Sequence, residues 1–191
     1  MSQANTALPT VDFETIFRHA PVGMCVSQQR VITACNEALA EIFGYQTEQL
    51  CGQSLSMLYP SADEFERTGA RIASILNRQG HYSDERIMKR AGGELFWCHV
   101  TGRSLERDDP HASGIWTFED LASRRPVTAE LSAREREVAA LLVDGLTSKE
   151  IGRQLDLSPR TVEMHRARLM KKFSAGTSSE LVNRLLGGLA T

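Results

Sequence analysis

No run of apolar residues in this 191-residue chain approaches the roughly 18 that a membrane-spanning helix needs. Contact with a membrane is therefore not expected. A Cys-x-x-Cys pair is also missing, since Cys25, Cys35, Cys51 and Cys98 are scattered. That excludes a zinc ribbon or a thioredoxin-type motif, and leaves free thiols in a reducing compartment. The first residues have neither the basic cluster nor the apolar stretch of a secretion signal, so the expected location is the cytoplasm. There is no repeat and no low-complexity tract. No nucleophile–base pair, paired carboxylates, phosphate loop or metal-ligand spacing is present, so an enzyme is not expected and no metal site is assigned. Aromatic residues are few, at 6%, but 41% of the chain is apolar and 24% charged. That is enough to build cores, in one domain or two small ones.

Charge is unevenly divided along the chain. Residues 1–123 hold 10 lysines and arginines against 16 acids, and residues 124–191 hold 12 against 8, so the overall −2 splits into −6 and +4. A basic C-terminal part on an acidic body suggests that only the second part meets a polyanion. The composition shifts around residues 122–127, where Pro126 restricts Arg125 to extended backbone, as a short linker requires. The expected division is an N-terminal domain over 10–121, a linker over 122–127 and a helical domain over 128–191.

The helical domain announces its own helix starts. Ser132 with Glu135, Thr147 with Glu150 and Thr177 with Glu180 each have the spacing of a capping box, in which hydroxyl and carboxylate satisfy each other's backbone amides. Ser158-Pro159 is a fourth start, with proline at the first helical position. Apolar residues follow helical spacing: Val138, Leu141 and Leu142; Ile151 and Leu155; Val162, Leu169 and Phe173; Leu181, Val182, Leu185 and Leu186. Gly145 suits a left-handed turn after the first helix. Only three residues, Asp156 to Ser158, join the second and third helices, which is helix-turn-helix geometry. The third helix, residues 159–172, carries Arg160, Arg166, Arg168, Lys171 and Lys172 against one acid, Glu163. Such a helix fits a major-groove reader, and the bland alternative is a solvated basic face.

Three stretches, 131–138, 145–151 and 158–166, together resemble the LuxR-type helix-turn-helix, in the version found in the FixJ subgroup of response regulators. The resemblance covers about 60 residues. It implies an all-α four-helix unit that binds specific double-stranded DNA as a homodimer, with the third helix in the major groove and the fourth at the dimer interface. Residue by residue it implies a structural role for Glu137 and phosphate contacts for Thr147, Ser148 and Lys149. Arg160 and Thr161 would open the recognition helix, Glu163, Met164 and Ala167 would face bases, and His165, Arg166 and Lys171 would meet phosphate. Packing is the other reading for His165, and pairing with Arg160 or Arg166 is the other reading for Glu163.

The N-terminal part reads as α+β. A helix capped by Thr10 runs to residue 18. Strands are expected over 22–26 and 31–35, short helices over 36–43 and 47–50, and a longer helix over 65–79. Strands over 84–89, 95–103 and 114–119 follow, with Gly92-Gly93 turning between the first two. This order, with Ala20-Pro21-Val22-Gly23-Met24, Asn36-Glu37-Ala38, Phe43-Gly44-Tyr45, Leu50-Cys51-Gly52, Gly93-Glu94-Leu95-Phe96-Trp97 and the closing 114–121, resembles a PAS domain, an antiparallel sheet with flanking helices.

The PAS fold hosts many signals and does not name one. A flavin of the LOV type needs a cysteine where Leu55 stands, and a haem PAS takes a histidine from the long helix, which has none. Neither cofactor is expected, and the cofactor stays unknown. Strand alternation puts Phe96, Cys98 and Val100 on one face, and the PAS resemblance turns that face toward the cavity, with Trp116, Phe118 and Met88 beside them. Such a pocket suits a small hydrophobic ligand, and a filled core is the alternative. An apolar strand argues against Cys98 as a redox switch. The reading is a one-component transcriptional regulator whose sensor responds to a small molecule or redox state, contacting RNA polymerase if it activates. The other reading is a PAS interaction module that binds no ligand and takes its signal from a partner protein.

Overall fold

In a computed structural model, residues 12–106, 108–124, 127 and 130–187 are described. Asp12 caps the first helix, α1 (Phe13–Arg18), by accepting from the amides of Glu14 and Thr15. Thr10, the expected cap, lies outside the described residues. Strands β1 (Gly23–Gln28) and β2 (Val31–Cys35) form a hairpin whose turn residues, Gln29 and Arg30, have φ of 48° and 64°. Two central residues with positive φ fit the twist of a two-residue hairpin turn.

Helix α2 (Glu37–Phe43) is capped by the Asn36 side chain and ended by Gly44 at φ 72°. A short helix α3 (Thr47–Leu50) and a 3-10 turn (Leu55–Leu58) lead to the long helix α4 (Ala62–Gln79). That helix begins three residues before the expected start. Ser61 is its cap, accepting from the Glu64 amide while its hydroxyl donates to the Glu64 carboxylate. Strands β3 (His81–Lys89), β4 (Leu95–Ser104) and β5 (Ser113–Asp120) complete an antiparallel sheet of order β2-β1-β5-β4-β3.

Strand periodicity assigns the two sheet faces. Tyr82, Met88, Phe96, Cys98, Val100, Trp116 and Phe118 turn toward α2 and α4 and share a core with Ile32, Leu39, Phe43, Leu58, Phe65 and Ile72. Ile87 and Trp97 turn the other way and are also buried. What covers them is the helical domain: α5 (Ala133–Val143) packs on β3. Ile87 and Trp97 belong to one apolar cluster with Leu131, Val138, Leu141 and Leu142.

The remaining helices are α6 (Ser148–Leu155), α7 (Pro159–Lys172) and α8 (Ser178–Leu185). The capping boxes of Ser132 and Thr147 close as expected, and Ser158 caps α7 with Pro159 in its first turn. At Thr177 only half of the box forms, because Glu180 accepts from the Gly176 amide instead of the cap amide.

Candidate functional site

Two surfaces have the makings of a site. The first is a partly enclosed cavity of about 30 Å³ inside the N-terminal domain. Since one water needs roughly 10–15 Å³, it has room for about two water-sized groups. Leu55, Phe65, Ile72, Val100, Trp116 and Phe118 give it apolar walls, and Ser27, Arg30, Tyr59, Arg86 and His111 bring polar groups to it.

Each polar group is held by the local fold. The β1–β2 turn places Arg30 so that its guanidinium lies 3.4 Å from the centre of the Phe65 ring. It donates to the Phe65 carbonyl at 2.7 Å and pairs with Glu66 at 2.9 Å. Gly69 leaves the space for it: a Cβ there would come within 2.5 Å of the guanidinium. Gly102, opposite Trp116 in the β4–β5 register, makes the same kind of room for the indole. The Trp116 Nε1–H donates to the buried Ser27 hydroxyl at 2.9 Å.

Behind Arg86 is a buried ionic cluster. Asp84 accepts from Arg86, from Arg71 at 2.8 Å and from the Tyr82 hydroxyl at 2.6 Å. Arg86 Nη1 donates to the Tyr59 hydroxyl at 2.7 Å. Burial pushes the Tyr59 and Tyr82 phenols up, so both are neutral donors at ordinary pH. Burial alone would lower Arg86, but Asp84 and the two tyrosine oxygens together hold it well above its usual value. Two guanidiniums against one carboxylate leave the cluster cationic. Tyr59 and Ser27 each accept one hydrogen bond, and neither hydroxyl proton has an acceptor among the described residues. The cavity therefore offers donors.

Of the six residues expected on the cavity wall, Val100, Trp116 and Phe118 line it. Met88, Phe96 and Cys98 are buried in the same core but do not line it. Phe43 packs against this part of the sheet, with its ring edge-on to Phe96 at 5.4 Å and to Phe118 at 5.6 Å. Burial pushes the Cys98 thiol up to about 12, which suits an inert core residue. Sequence reasoning missed Ser27, Arg30, Tyr59, Arg86 and His111. Residues so far apart announce nothing locally, although a strand reading Asp84-Glu85-Arg86-Ile87-Met88 with an arginine on its inward face is an irregularity that could have been noticed.

Tyr59 and Arg86 also line a second, smaller space, bounded on its far side by Arg136, Glu137 and Ala140 of α5. This is the seam between the domains. Arg136 grips the buried Glu64 carboxylate with two nitrogens, at 3.0 and 2.5 Å, and Arg67 donates to Glu137 at 2.8 Å. The fork geometry orients α5 more than it stabilises, since desolvating buried charges offsets most of their attraction.

The second surface is the exposed side of α7. Arg160, Glu163, Met164, Ala167, Arg168 and Lys171 recur at helical spacing and are exposed. Lys149 at the start of α6 is exposed beside them, as is Thr147, while Thr161 and Ser148 are half-buried. Among the described residues Lys149, Arg160, Arg168 and Lys171 make no ion pair. Glu163 accepts from Arg166 at 2.9 Å and from the Ser148 hydroxyl. Arg166 further donates to Ser148 at 2.7 Å and to Ser178 at 2.5 Å, tying α6, α7 and α8 together. His165 is buried, because it falls between Val162 and Leu169 on the packed side of the helix. Burial first and Arg168 second hold its ring below the usual histidine value.

Two families match the chain. Residues 21–123 match the family described as the PAS domain, and residues 129–185 match the bacterial regulatory proteins of the luxR family. The transcriptional regulatory protein FixJ of Rhizobium meliloti (strain 1021) is 50% identical over 86 residues, 44% of this chain and 42% of that one. A PAS domain from a LuxR-family transcriptional regulator of Burkholderia thailandensis, solved in complex with ethanol, is 56% identical. It covers 59% of this chain and 99% of its own, with a TM-score of 0.58. The VqmA dimer of Vibrio cholerae shares the fold at 20% identity, with a TM-score of 0.56 over 95% of this chain and 91% of its own. The chain spans 24% to 42% of the length of the first curated relatives it matches.

Proposed function

For a chain that belongs to the luxR family of bacterial regulatory proteins and carries a PAS domain ahead of its helix-turn-helix, we propose the role of a one-component transcriptional regulator. The PAS cavity receives a small molecule, and the helix-turn-helix binds double-stranded operator DNA as a homodimer in the cytoplasm. The observation that carries this reading is that Tyr59 and Arg86 line both the cavity and the seam against α5. A molecule that accepts a hydrogen bond from the Tyr59 hydroxyl acts on the same side chains that face the DNA-binding half.

The cavity's donors favour a compact molecule bearing an oxygen acceptor over the purely hydrophobic ligand that the apolar strand faces and the PAS resemblance suggest. The ethanol in the Burkholderia relative has that character. On the DNA side, Thr147, Ser148 and Lys149 present a helix N-terminus to phosphate. Arg160, Thr161, Met164, Ala167 and Lys171 lie along the groove. Glu163, exposed on the same face, faces bases or holds Arg166, with which it pairs at 2.9 Å.

The test has two arms. Native mass spectrometry of protein purified from its host, set against the denatured mass, detects a retained molecule. DNA titrations over a range of salt then measure response to that molecule. Lys171→Ala should flatten the log–log salt slope by about one unit. Tyr59→Phe should leave that slope alone and abolish the response to the molecule. A Tyr59→Phe protein that still responds would exclude this cavity as the receiver.

A further inference from the structure

Cys35 and Cys51 are 16 residues apart in sequence, yet their sulfurs lie 3.8 Å apart. Cys35 ends the edge strand β2 and is half-buried, and its Sγ also faces the Thr47 carbonyl at 3.7 Å. Cys51 is the exposed C-cap of α3. We propose that these two thiols are a reversible dithiol–disulfide pair, oxidised by small disulfides of the glutathione type, that controls the segment leading into the cavity.

Position supports the proposal first. A disulfide needs its sulfurs at roughly 2.0 Å, so closing the pair asks for side-chain rotation at an exposed helix end. The other two thiols are poor candidates. Cys25 stands opposite Cys35 in the β1–β2 register, but it is fully buried, as is Cys98. Cys51 is the one exposed thiol among the described residues, so an oxidant enters there.

The chemistry balances. The Cys51 thiolate attacks one sulfur of the small disulfide, which forms a mixed disulfide and releases the first small thiolate. The Cys35 thiolate then attacks the Cys51 sulfur and expels the second. Two cysteines lose two protons and two electrons, and one small disulfide becomes two small thiols. Burial first, then neighbouring Cys51 and Glu48, push the Cys35 thiol up to about 12. The second step should be the slower one and should quicken with rising pH.

The consequence follows from what comes after Cys51. The Gly52 amide donates to the Ile32 carbonyl at 2.7 Å, and the Ile32 amide donates to the Gln53 carbonyl at 2.8 Å. The Leu55 amide donates to the Arg30 carbonyl at 2.9 Å. The segment is thus laced along β2, and it delivers Leu55 and then Tyr59 to the cavity. A disulfide pins the start of that run to the strand edge. Its effect on signalling rests on the function proposed above, whereas the thiol chemistry does not.

The experiment equilibrates the full chain with oxidised and reduced glutathione, quenches with acid, and reads thiol number and cross-linked peptides by mass spectrometry. The expected result is loss of two of the four thiols as a Cys35–Cys51 link, reversed by reduced glutathione. Cys51→Ser, at an exposed position, should prevent the loss. Hydrogen exchange over residues 51–59 should slow in the oxidised form. Four intact thiols, a stable mixed disulfide at Cys51, or a Cys25–Cys35 link would overturn the pairing. Unchanged exchange over 51–59 would overturn the control of the segment. Neither readout uses ligand or DNA, so a failure here is distinct from a failure of the proposed function.

Discussion

The two halves of the chain hold themselves together in opposite ways. The C-terminal half keeps most of its polar chemistry at helix ends and on the surface, Glu137 and His165 apart, and buries mainly Val138, Leu141, Leu142, Ile151, Val162, Leu169, Leu181 and Leu185. The N-terminal half places Asp84, Arg71, Arg86, Tyr59 and Tyr82 inside, next to a cavity. A domain whose job is to present one helix can be built from local rules. A domain with a polar cavity needs groups from distant strands and helices to meet, and it concentrates its vulnerability where they do.

That contrast predicts where a single change does most damage. Asp84 is the only acid in the cluster, and it faces two guanidiniums. Asp84→Ala leaves both buried without a counter-charge, a loss that typically costs ~3–5 kcal/mol. Chemical denaturation of the full chain should show a destabilisation of that order. A loss below about 1 kcal/mol would mean that the cluster relaxes or hydrates freely, and the contrast between the halves would collapse.

In the C-terminal half the equivalent change is a cap. The Ser132 side chain accepts from the Glu135 amide, while Glu135 returns the bond to the Ser132 amide at 2.8 Å. Ser132→Ala should cost ~1 kcal/mol, within the usual 0.5–2 kcal/mol range for such caps. The same denaturation experiment measures it. If Ser132→Ala proved as costly as Asp84→Ala, the idea that this half spreads its stability over many small local terms would fail.

The same division explains what was legible in the sequence. Capping boxes, a proline in the first turn and apolar spacing are written within a few residues of each other. The bounds of α7 accordingly coincide with expectation, as does the closure at Ser132 and Thr147. Alternation separated the two faces of β4, and the PAS resemblance picked the inward one. Alternation did not find that Trp97, on the other face, is buried by the second domain, because nothing near Trp97 in sequence says what will cover it. It also did not find Tyr59 or Ser27, whose partners Arg86 and Trp116 are 27 and 89 residues away. The cysteine pair escaped for the same reason: counting spacings does not reveal that β2 and the end of α3 are neighbours.

The smallest predicted effect lies where the C-terminal half breaks its own pattern. His165 is a titratable group on the packed side of α7, and its Nδ1 is buried with no hydrogen-bond partner among the described residues. Protonation would place an unpaired N–H and a charge there. Facing it are Arg168 and Arg134, which oppose the charge, and Glu135 and Glu137, which favour it; burial and Arg168 prevail, so the folded value lies below the usual 6.5. The sign follows from linkage. The unfolded chain binds the proton first, so stability is full above about pH 6.5 and declines as pH falls from the unfolded value toward the folded one. Glu135, also lowered, through Lys172 and Ser132, acts in the same direction but only below its usual value of 4.5, outside that window. The denaturation midpoint should therefore fall between about pH 7.5 and about pH 5.5 in the wild type. His165→Gln, which cannot titrate, should show a flatter profile over the same interval. Equal slopes in the two proteins would show that His165 pays no protonation penalty in the fold, and the interior of this half would then be as indifferent to charge as its apolar residues make it look.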